Sequence, residues 1–161
     1  RHMEEAIASF ATRGAEKLRQ EGLQASMLSV FMRTNPHIQG VKYQGYKSME
    51  IEPTADTLAI AAQAVRLARS IWRSGYKFMK AGIMLDGLMH AGEPPRDLFP
   101  TRDPEKSQKL MEALDEVNGR FGRNTLYPAS CGTQRKWVTR AAKRSPRFTT
   151  EIGEVMVVTP R

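Results

Sequence analysis

The chain has 161 residues, of which 40% are hydrophobic, so it is long enough for one packed core and a structured tail. Its formal net charge of +8 favours a polyanionic partner, either nucleic acid or an anionic membrane surface. The single cysteine, Cys131, excludes an internal disulfide and makes a reducing cytoplasm the simplest setting. No apolar run approaches the roughly 20 residues that span a bilayer, so no membrane segment is predicted.

Hydrophobic periodicity predicts five elements in the first half of the chain. Arg1, His2 and Met3 look like the remnant of an expression tag and are left out. Asp56 is placed to cap the second helix, Ser74 and Gly75 to stop it, and Pro53 to end the second strand. The elements are a helix over 4–20, strands over 23–34 and 43–52, a helix from Asp56 to about 73, and a strand over 76–89.

The two predicted helices align with each other as a quasi-repeat. Ile7, Ala11, Arg13, Ala15 and Leu18 match Ile60, Ala64, Arg66, Ala68 and Ile71, and Gly22 matches Gly75. The second copy is strand–helix–strand and the first only helix–strand, so the repeat predicts one further strand before Glu4. Because bare sheet edges are costly, we expect the gap to be covered by the apolar segment 155–158 or by a second copy of the chain.

The pattern changes after residue 91. Gly92, Pro94, Pro95 and Pro100 are typical of an exposed linker, which we assign to 92–103. Asp103 and Pro104 then open a third helix, which Asn118 and Gly119 are expected to end. The predicted organisation is a domain over 4–91, the linker, and a basic C-terminal region over 104–161.

Catalytic chemistry finds little support in the sequence. A pair of Cys131 with His90 or His37 would be the only nucleophile and base, and a lone cysteine in a small domain is more often a packing residue. Metal-ligand spacing and Gly-rich phosphate loops are absent. We therefore predict no catalytic residue and no metal or other cofactor in this chain.

The stretch 120–147 is rich in basic residues and contains no acid, a pattern that favours contact with phosphates. The rings of Phe121, Tyr127, Trp137 and Phe148 are interleaved with these charges. They either stack on nucleic-acid bases or anchor a small satellite core. The candidate DNA contacts here are Arg120, Arg123, Arg135, Lys136, Arg140, Lys143, Arg144 and Arg147, and on the predicted sheet Arg33, Lys47, Lys77 and Lys80.

The linker carries an apolar pair, Leu98 and Phe99, directly after Asp97. Exposed loops use such residues to dock into a preformed pocket of a partner, or fold them back onto their own domain. Both alternatives stay open from the residues alone.

Several runs of the sequence resemble the UmuC, MucB and ImpB group of Y-family translesion DNA polymerases. They are 10–19 in the first helix, 80–85 (Lys-Ala-Gly-Ile-Met-Leu), 122–127 (Gly-Arg-Asn-Thr-Leu-Tyr) and 145–150 (Ser-Pro-Arg-Phe-Thr-Thr). The resemblance implies an α+β little finger domain, a sheet of three to four strands backed by two helices, that grips template–primer DNA. It places the catalytic carboxylates and their Mg²⁺ in an upstream palm domain that this sequence does not include.

The resemblance also implies partners. In this group the linker carries a clamp-binding pentapeptide of the type Gln-Leu-x-Leu-Phe, and Asp97, Leu98 and Phe99 fit its end. Pro95 and Arg96 stand where Gln and Leu are expected, which predicts weaker binding of the sliding clamp. A UmuD′-like accessory dimer and a recombinase filament are further implied partners, in a bacterial, nucleoid-associated setting. The rival hypotheses are a free-standing DNA-binding regulator and a protein-assembly module.

Overall fold

The computed structural model describes residues 2–37, 39–92, 103–133, 137 and 145–155. The predicted α+β class is confirmed: three helices accompany one antiparallel sheet of three strands. The elements in chain order are α1 (His2–Gln20), β1 (Leu23–Thr34), β2 (Gln44–Thr54), α2 (Thr57–Ile71), β3 (Phe78–His90) and α3 (Pro104–Phe121), followed by 3₁₀ turns at Ala129–Cys131 and Ile152–Glu154.

The sheet has the order β2-β1-β3, and both helices α1 and α2 cover one of its faces. Strand side chains alternate between faces, so Leu28, Val30 and Met32 of β1 are fully buried under the helices. A register shift after Ala25 interrupts this alternation, which is why Ala25 is also buried. The other face of the sheet carries no helix of the described residues and is called the open face below.

The quasi-repeat of the two helices corresponds to the core. Its small residues let α1 and α2 pack closely together, and its larger ones reach the sheet. The matched arginines, Arg13 and Arg66, are not buried. The eight matched apolar residues are all buried: Ile7, Ala11, Ala15, Leu18, Ile60, Ala64, Ala68 and Ile71. Gly22 and Gly75 both adopt positive φ, at 66° and 85°, so the turn after each helix also repeats.

Local capping residues set the starts of α2 and α3, and a distant residue closes the end of α2. Asp56 accepts hydrogen bonds from the backbone N–H groups of Leu58 and Ala59 at 2.6 and 2.9 Å, and Asp103 caps α3 ahead of Pro104 in the same way. The phenol of Tyr43 donates to the carbonyl of Ile71 at 2.6 Å and closes the end of α2.

Two predicted bounds were off by two residues: α2 ends at Ile71, before the predicted stop at Ser74 and Gly75, and β3 begins at Phe78 instead of Tyr76. Two further predicted boundaries were wrong for a clear physical reason. β2 continues through Pro53 to Thr54, because Pro53 lies at an irregularity of an edge strand, where its missing N–H is tolerated. α3 continues past Asn118 and Gly119 to Phe121, and Gly122, at φ 98°, ends it instead. Asn118 is there for another reason: its side chain binds the backbone N–H and C=O of Leu126 at 2.9 and 2.8 Å.

Helix α3 packs at the end of the sheet where β1 begins, which we call the Leu23 end. Met111 and Leu114 are buried against the first domain, and the backbone N–H of Thr57 donates to the Met111 sulfur at 3.3 Å. The hydroxyl of Ser107 donates to Oδ2, the second carboxylate oxygen of the cap residue Asp56. Helix α3 therefore contacts the start of α2 at two points, the Thr57 N–H and the Asp56 carboxylate.

The chain after α3 returns along α1. Arg123 pairs with Glu16 at 3.4 Å, and further along Cys131 is buried, with its sulfur 3.4 Å from the Thr12 hydroxyl. The ring of Trp137 lies edge-on to that of Phe10, with centroids 5.5 Å apart. Part of the C-terminal region thus covers the outer surface of α1.

The further strand expected from the quasi-repeat has no counterpart among the described residues. Of the segment 155–158, only Val155 belongs to them, and it lies exposed after the second 3₁₀ turn, outside the sheet. Residues 156–158 lie outside the described part, so the covering of the sheet edge stays a prediction.

Candidate nucleic-acid interface

The open face places two predicted DNA contacts side by side. Arg33 of β1 is directly opposite Lys80 of β3 in the strand register, so both side chains leave the sheet on the same face. The buried Nε of Arg33 has no hydrogen-bond partner among the described residues. Lys47 is opposite the buried Val30 and therefore lies on the helix side, whereas Lys77 immediately precedes β3.

Hydroxyl groups occupy the middle of the open face. Ser29 and Ser48 are opposite each other with their oxygens 2.8 Å apart, and the phenol of Tyr46 lies within 3.1 Å of both. These hydrogen bonds lower the pKa of Tyr46, first through Ser29 and then through Ser48. This part of the face is therefore rich in hydrogen-bonding groups.

The charges of the open face are divided between its two ends. The opposite end of the sheet from the Leu23 end, which we call the Thr34 end, carries Arg33 and Lys80. Towards the Leu23 end, Met27 of β1 stands between Glu50 of β2 and Asp86 of β3. A polyanion on this face is therefore attracted towards the Thr34 end and repelled from the other.

A groove of about 1060 Å³ lies at the Leu23 end, between the sheet and α3. Arg19 is the one basic residue among the described lining residues, and its guanidinium is bound to Asp115, Ala55 and Thr57. The lining carboxylates are Glu50, Glu52, Asp56, Glu112 and Asp115. Because acids dominate it, this groove does not suit nucleic acid.

Three of the predicted basic residues of the C-terminal region interact with other side chains of the same chain. Arg123 pairs with Glu16, and the guanidinium of Arg120 lies over the Phe121 ring at 5.2 Å. Arg147 binds Glu154 at 2.8 Å, and hydrogen bonds from its backbone and side chain lower the pKa of Glu154. Arg135, Lys136, Arg140, Lys143 and Arg144 lie outside the described residues.

The aromatic residues of the same region have different surroundings. Trp137 packs against Phe10, as expected of an anchor for a satellite core, whereas Phe121 and Phe148 are exposed. The clamp-motif residues Asp97, Leu98 and Phe99, with the linker around them, lie outside the described residues.

Within the described residues, no cluster of three or more His, Cys, Asp or Glu side chains could hold a metal ion. The Mg²⁺ that the resemblance places in a palm domain therefore has no fitting ligands in this part of the chain. No described helix combines the length and the apolar character needed to cross a membrane.

Sequence reasoning missed an aromatic cluster at the Thr34 end. Tyr43, Trp72, Tyr76 and Phe78 come from three separate segments, and their neighbouring ring centroids are 4.8–6.5 Å apart. A signal for this region was present: the stretches 33–49 and 66–85 contain no Asp or Glu. Only the fold shows that these two stretches lie side by side.

Comparison with known proteins gives two family matches. The impB/mucB/samB family C-terminal domain matches residues 1–98, and a domain of unknown function (DUF4113) matches residues 108–158. Protein UmuC of Salmonella typhimurium is 36% identical over 159 residues, covering 97% of this chain and 38% of that protein. Protein MucB of Escherichia coli is 35% identical over 160 residues, covering 98% of this chain and 37% of that protein. The chain thus spans well under half the length of these relatives.

Proposed function

The chain belongs to the impB/mucB/samB family, and on that premise we propose that it is the DNA-holding C-terminal part of an error-prone translesion DNA polymerase. The observation that carries the proposal is the pair of Arg33 and Lys80 on the open face. Neither has an ion-pair partner among the described residues, although the helix side of the domain forms several such pairs. Cations held side by side without a carboxylate are suited to the phosphates of a duplex.

The open face supports binding without sequence preference. Its central hydroxyls, on Ser29, Tyr46 and Ser48, form hydrogen bonds with one another and can exchange these for phosphate oxygens. No helix among the described residues protrudes from this face to read base edges in the major groove. A grip of this kind holds DNA of any sequence, as a polymerase requires.

A salt titration of duplex binding tests the proposal. Each phosphate contact contributes about −0.9 to the slope of log K against log salt, so the double variant Arg33→Gln and Lys80→Gln should reduce the slope by up to roughly 1.8. The matched control, Lys106→Gln with Lys109→Gln, removes the same net charge on α3, which packs at the Leu23 end and not at the Thr34 end. Equal losses in the two variants, or a parent slope near zero, would contradict this role of the sheet.

We also propose that the linker tethers the chain to the sliding clamp through Leu98 and Phe99. Support comes from the Pro-rich surroundings and from the fit of Asp97, Leu98 and Phe99 to the end of the family pentapeptide. Replacing Leu98 and Phe99 by Ala should abolish clamp binding and leave duplex binding unchanged. Conversely, Pro95→Gln with Arg96→Leu restores both missing anchor residues and should raise clamp affinity by about 10- to 100-fold.

The wider role rests on the same family membership. We propose that the longer protein polymerises past DNA damage with catalytic groups outside this chain, during the bacterial SOS response. A UmuD′-like dimer and a recombinase filament are its proposed further partners, in a cytoplasmic, nucleoid-associated setting. The rival assembly-module hypothesis predicts almost no affinity for DNA, so the titration above also separates the two.

A further inference from the structure

The Thr34 end gathers positive charge without compensating acids. The acid-free stretches 33–49 and 66–85 meet there, because β1 ends where β2 and β3 begin and where α2 ends. Five cations lie at this end, and none of them forms an ion pair with a described carboxylate. These cations are Arg33, Lys42, Arg73, Lys77 and Lys80.

The aromatic cluster at this end presents one large exposed ring. Trp72 is 47% exposed, although its indole packs at 4.8 Å against Phe78. Tyr43 is fixed by its hydrogen bond to Ile71, and it contacts both Tyr76 and Phe78. Phe78 therefore supports one side of the indole, and about half of the Trp72 surface faces solvent.

Basic residues lie next to the aromatic cluster, in space or in the sequence, at the Thr34 end. Arg73 follows Trp72 directly, and its guanidinium lies 5.4 Å from the Tyr43 ring. In the sequence, Lys77 stands between two residues of the cluster, Tyr76 and Phe78. Sites for single-stranded nucleic acid combine these two features: aromatic rings on which unpaired bases stack, and cations that follow the backbone.

A duplex would use only half of this arrangement. Its bases are stacked on one another, so it offers phosphates to the cations and no free base to Trp72. From these observations we infer that the Thr34 end binds single-stranded DNA, with an unpaired base on Trp72 and adjacent phosphates at Arg73 and Lys77. This inference rests on the proposed function, and it adds a second site next to the duplex-binding face.

The two sites lie at the same end of the sheet. Arg33 and Lys80 leave the sheet on the open face there, and the aromatic cluster lies at the C-terminal end of α2. A junction between double-stranded and single-stranded DNA is the substrate that contacts both sites. The single-stranded site should therefore increase affinity for a junction above that for a blunt duplex.

Tryptophan fluorescence gives a direct test. The chain has two tryptophans, so Trp137→Phe leaves Trp72 as the only indole while keeping a ring against Phe10. Titration of this variant with a short oligothymidylate should quench the emission of Trp72. Binding without any change in that emission would overturn the inference.

Affinity measurements separate the ring from the charges. Trp72→Leu should weaken oligothymidylate binding by roughly 5- to 150-fold, the range that stacking of one base provides, whereas Trp72→Phe should retain part of the affinity. Neither change should affect the binding of inorganic polyphosphate, which has no bases. Trp72→Leu binding the oligonucleotide as tightly as the parent would refute the stacking role.

The cations are tested through salt dependence. Arg73→Gln and Lys77→Gln should each reduce the slope for single strands by about 0.7, and the control Lys109→Gln should not. Because these changes lie on the surface, they keep the test decisive if Trp72→Leu fails to fold. Unchanged slopes for both variants would overturn the assignment of phosphates to them.

Duplex binding, measured in parallel, distinguishes a failure of the single-strand site from a failure of the proposed function. If the parent chain binds duplex but not the oligonucleotide, this inference fails and the proposed function stands. If it binds neither, both fail.

Discussion

Arg19 donates two hydrogen bonds to the carboxylate of Asp115, from Nε to Oδ2 and from Nη2 to Oδ1, each 2.6 Å long. The remaining donor, Nη1, reaches the carbonyl of Ala55 at 2.7 Å and the hydroxyl of Thr57 at 2.8 Å. One side chain of α1 thus joins α3 to the start of α2. This guanidinium is one of several polar links between the first domain and the described part of the C-terminal region.

Arg19→Met should destabilise the chain by about 1.5–3 kcal/mol, because it leaves the Asp115 carboxylate and the Ala55 carbonyl without their charged donor. Arg19→Lys should recover only part of this loss, since an ammonium group cannot make the two parallel bonds. Denaturant unfolding measures both. An unchanged midpoint for Arg19→Met would show that the link contributes nothing to stability.

Two leucines of α3 offer a matched test of its packing. Leu114 is 7% exposed and Leu110 is 47% exposed on the same helix. Leu114→Ala should cost about 2–3 kcal/mol through lost burial and the cavity left behind. Leu110→Ala should stay within about 0.5 kcal/mol of the parent. Similar losses at both positions would mean that α3 does not dock as described.

Gly119 and Gly122 should respond oppositely to alanine. Gly119 is inside α3 with no heavy atom within 4 Å of an added Cβ, so Gly119→Ala should stabilise by about 0.5–1 kcal/mol. Gly122 has φ 98° and ψ 154°, a region essentially restricted to glycine, so Gly122→Ala should cost about 1–3 kcal/mol. Thermal unfolding followed by circular dichroism would reveal both signs.

The ion pair of Glu4 and Arg69 predicts a small acid-sensitive contribution to stability. The hydrogen bond from Arg69, 2.6 Å long, lowers the pKa of Glu4 below its ordinary value of 4.5. A depressed carboxyl pKa stabilises the fold above pH 4.5, and this stabilisation is lost as pH falls through the folded-state pKa. Unfolding free energies measured from pH 6 down to pH 3 should therefore fall less steeply in Glu4→Gln. Parallel curves for the two proteins would argue against the pair.

Burial also predicts slow chemistry at Cys131. Its side chain is 1% exposed beneath the turn that follows α3, so a thiol reagent should modify the native chain much more slowly than the unfolded chain. Gly132→Ala should accelerate the reaction, because the new Cβ would lie 2.6 Å from the Glu5 side chain and push the turn away from α1. Fast modification of the native parent would contradict the packing of this turn on α1.

Much of the first domain could be read from the sequence because its signals are local. The apolar stripe that includes Ile7 and Ile60, the alternation at Leu28 and Val30, and the cap at Asp56 each depend on a few neighbouring residues. Local rules gave the wrong prediction where a residue binds another segment or where its place in the sheet decides its effect. Asn118 resembles a helix stop but binds Leu126, and Pro53 is accommodated by the edge of the sheet.

The sequence by itself determined the helices, the strands, the core-facing residues and the excess of positive charge, since these follow from periodicity and composition. Only the tertiary structure decided which distant segments become neighbours. Arg19 meets Asp115, Arg33 stands beside Lys80, and Trp72 packs on Phe78 because the order β2-β1-β3 and the docking of α3 bring those segments together. Such contacts depend on strand order and on helix docking, and no pattern of neighbouring residues specifies either.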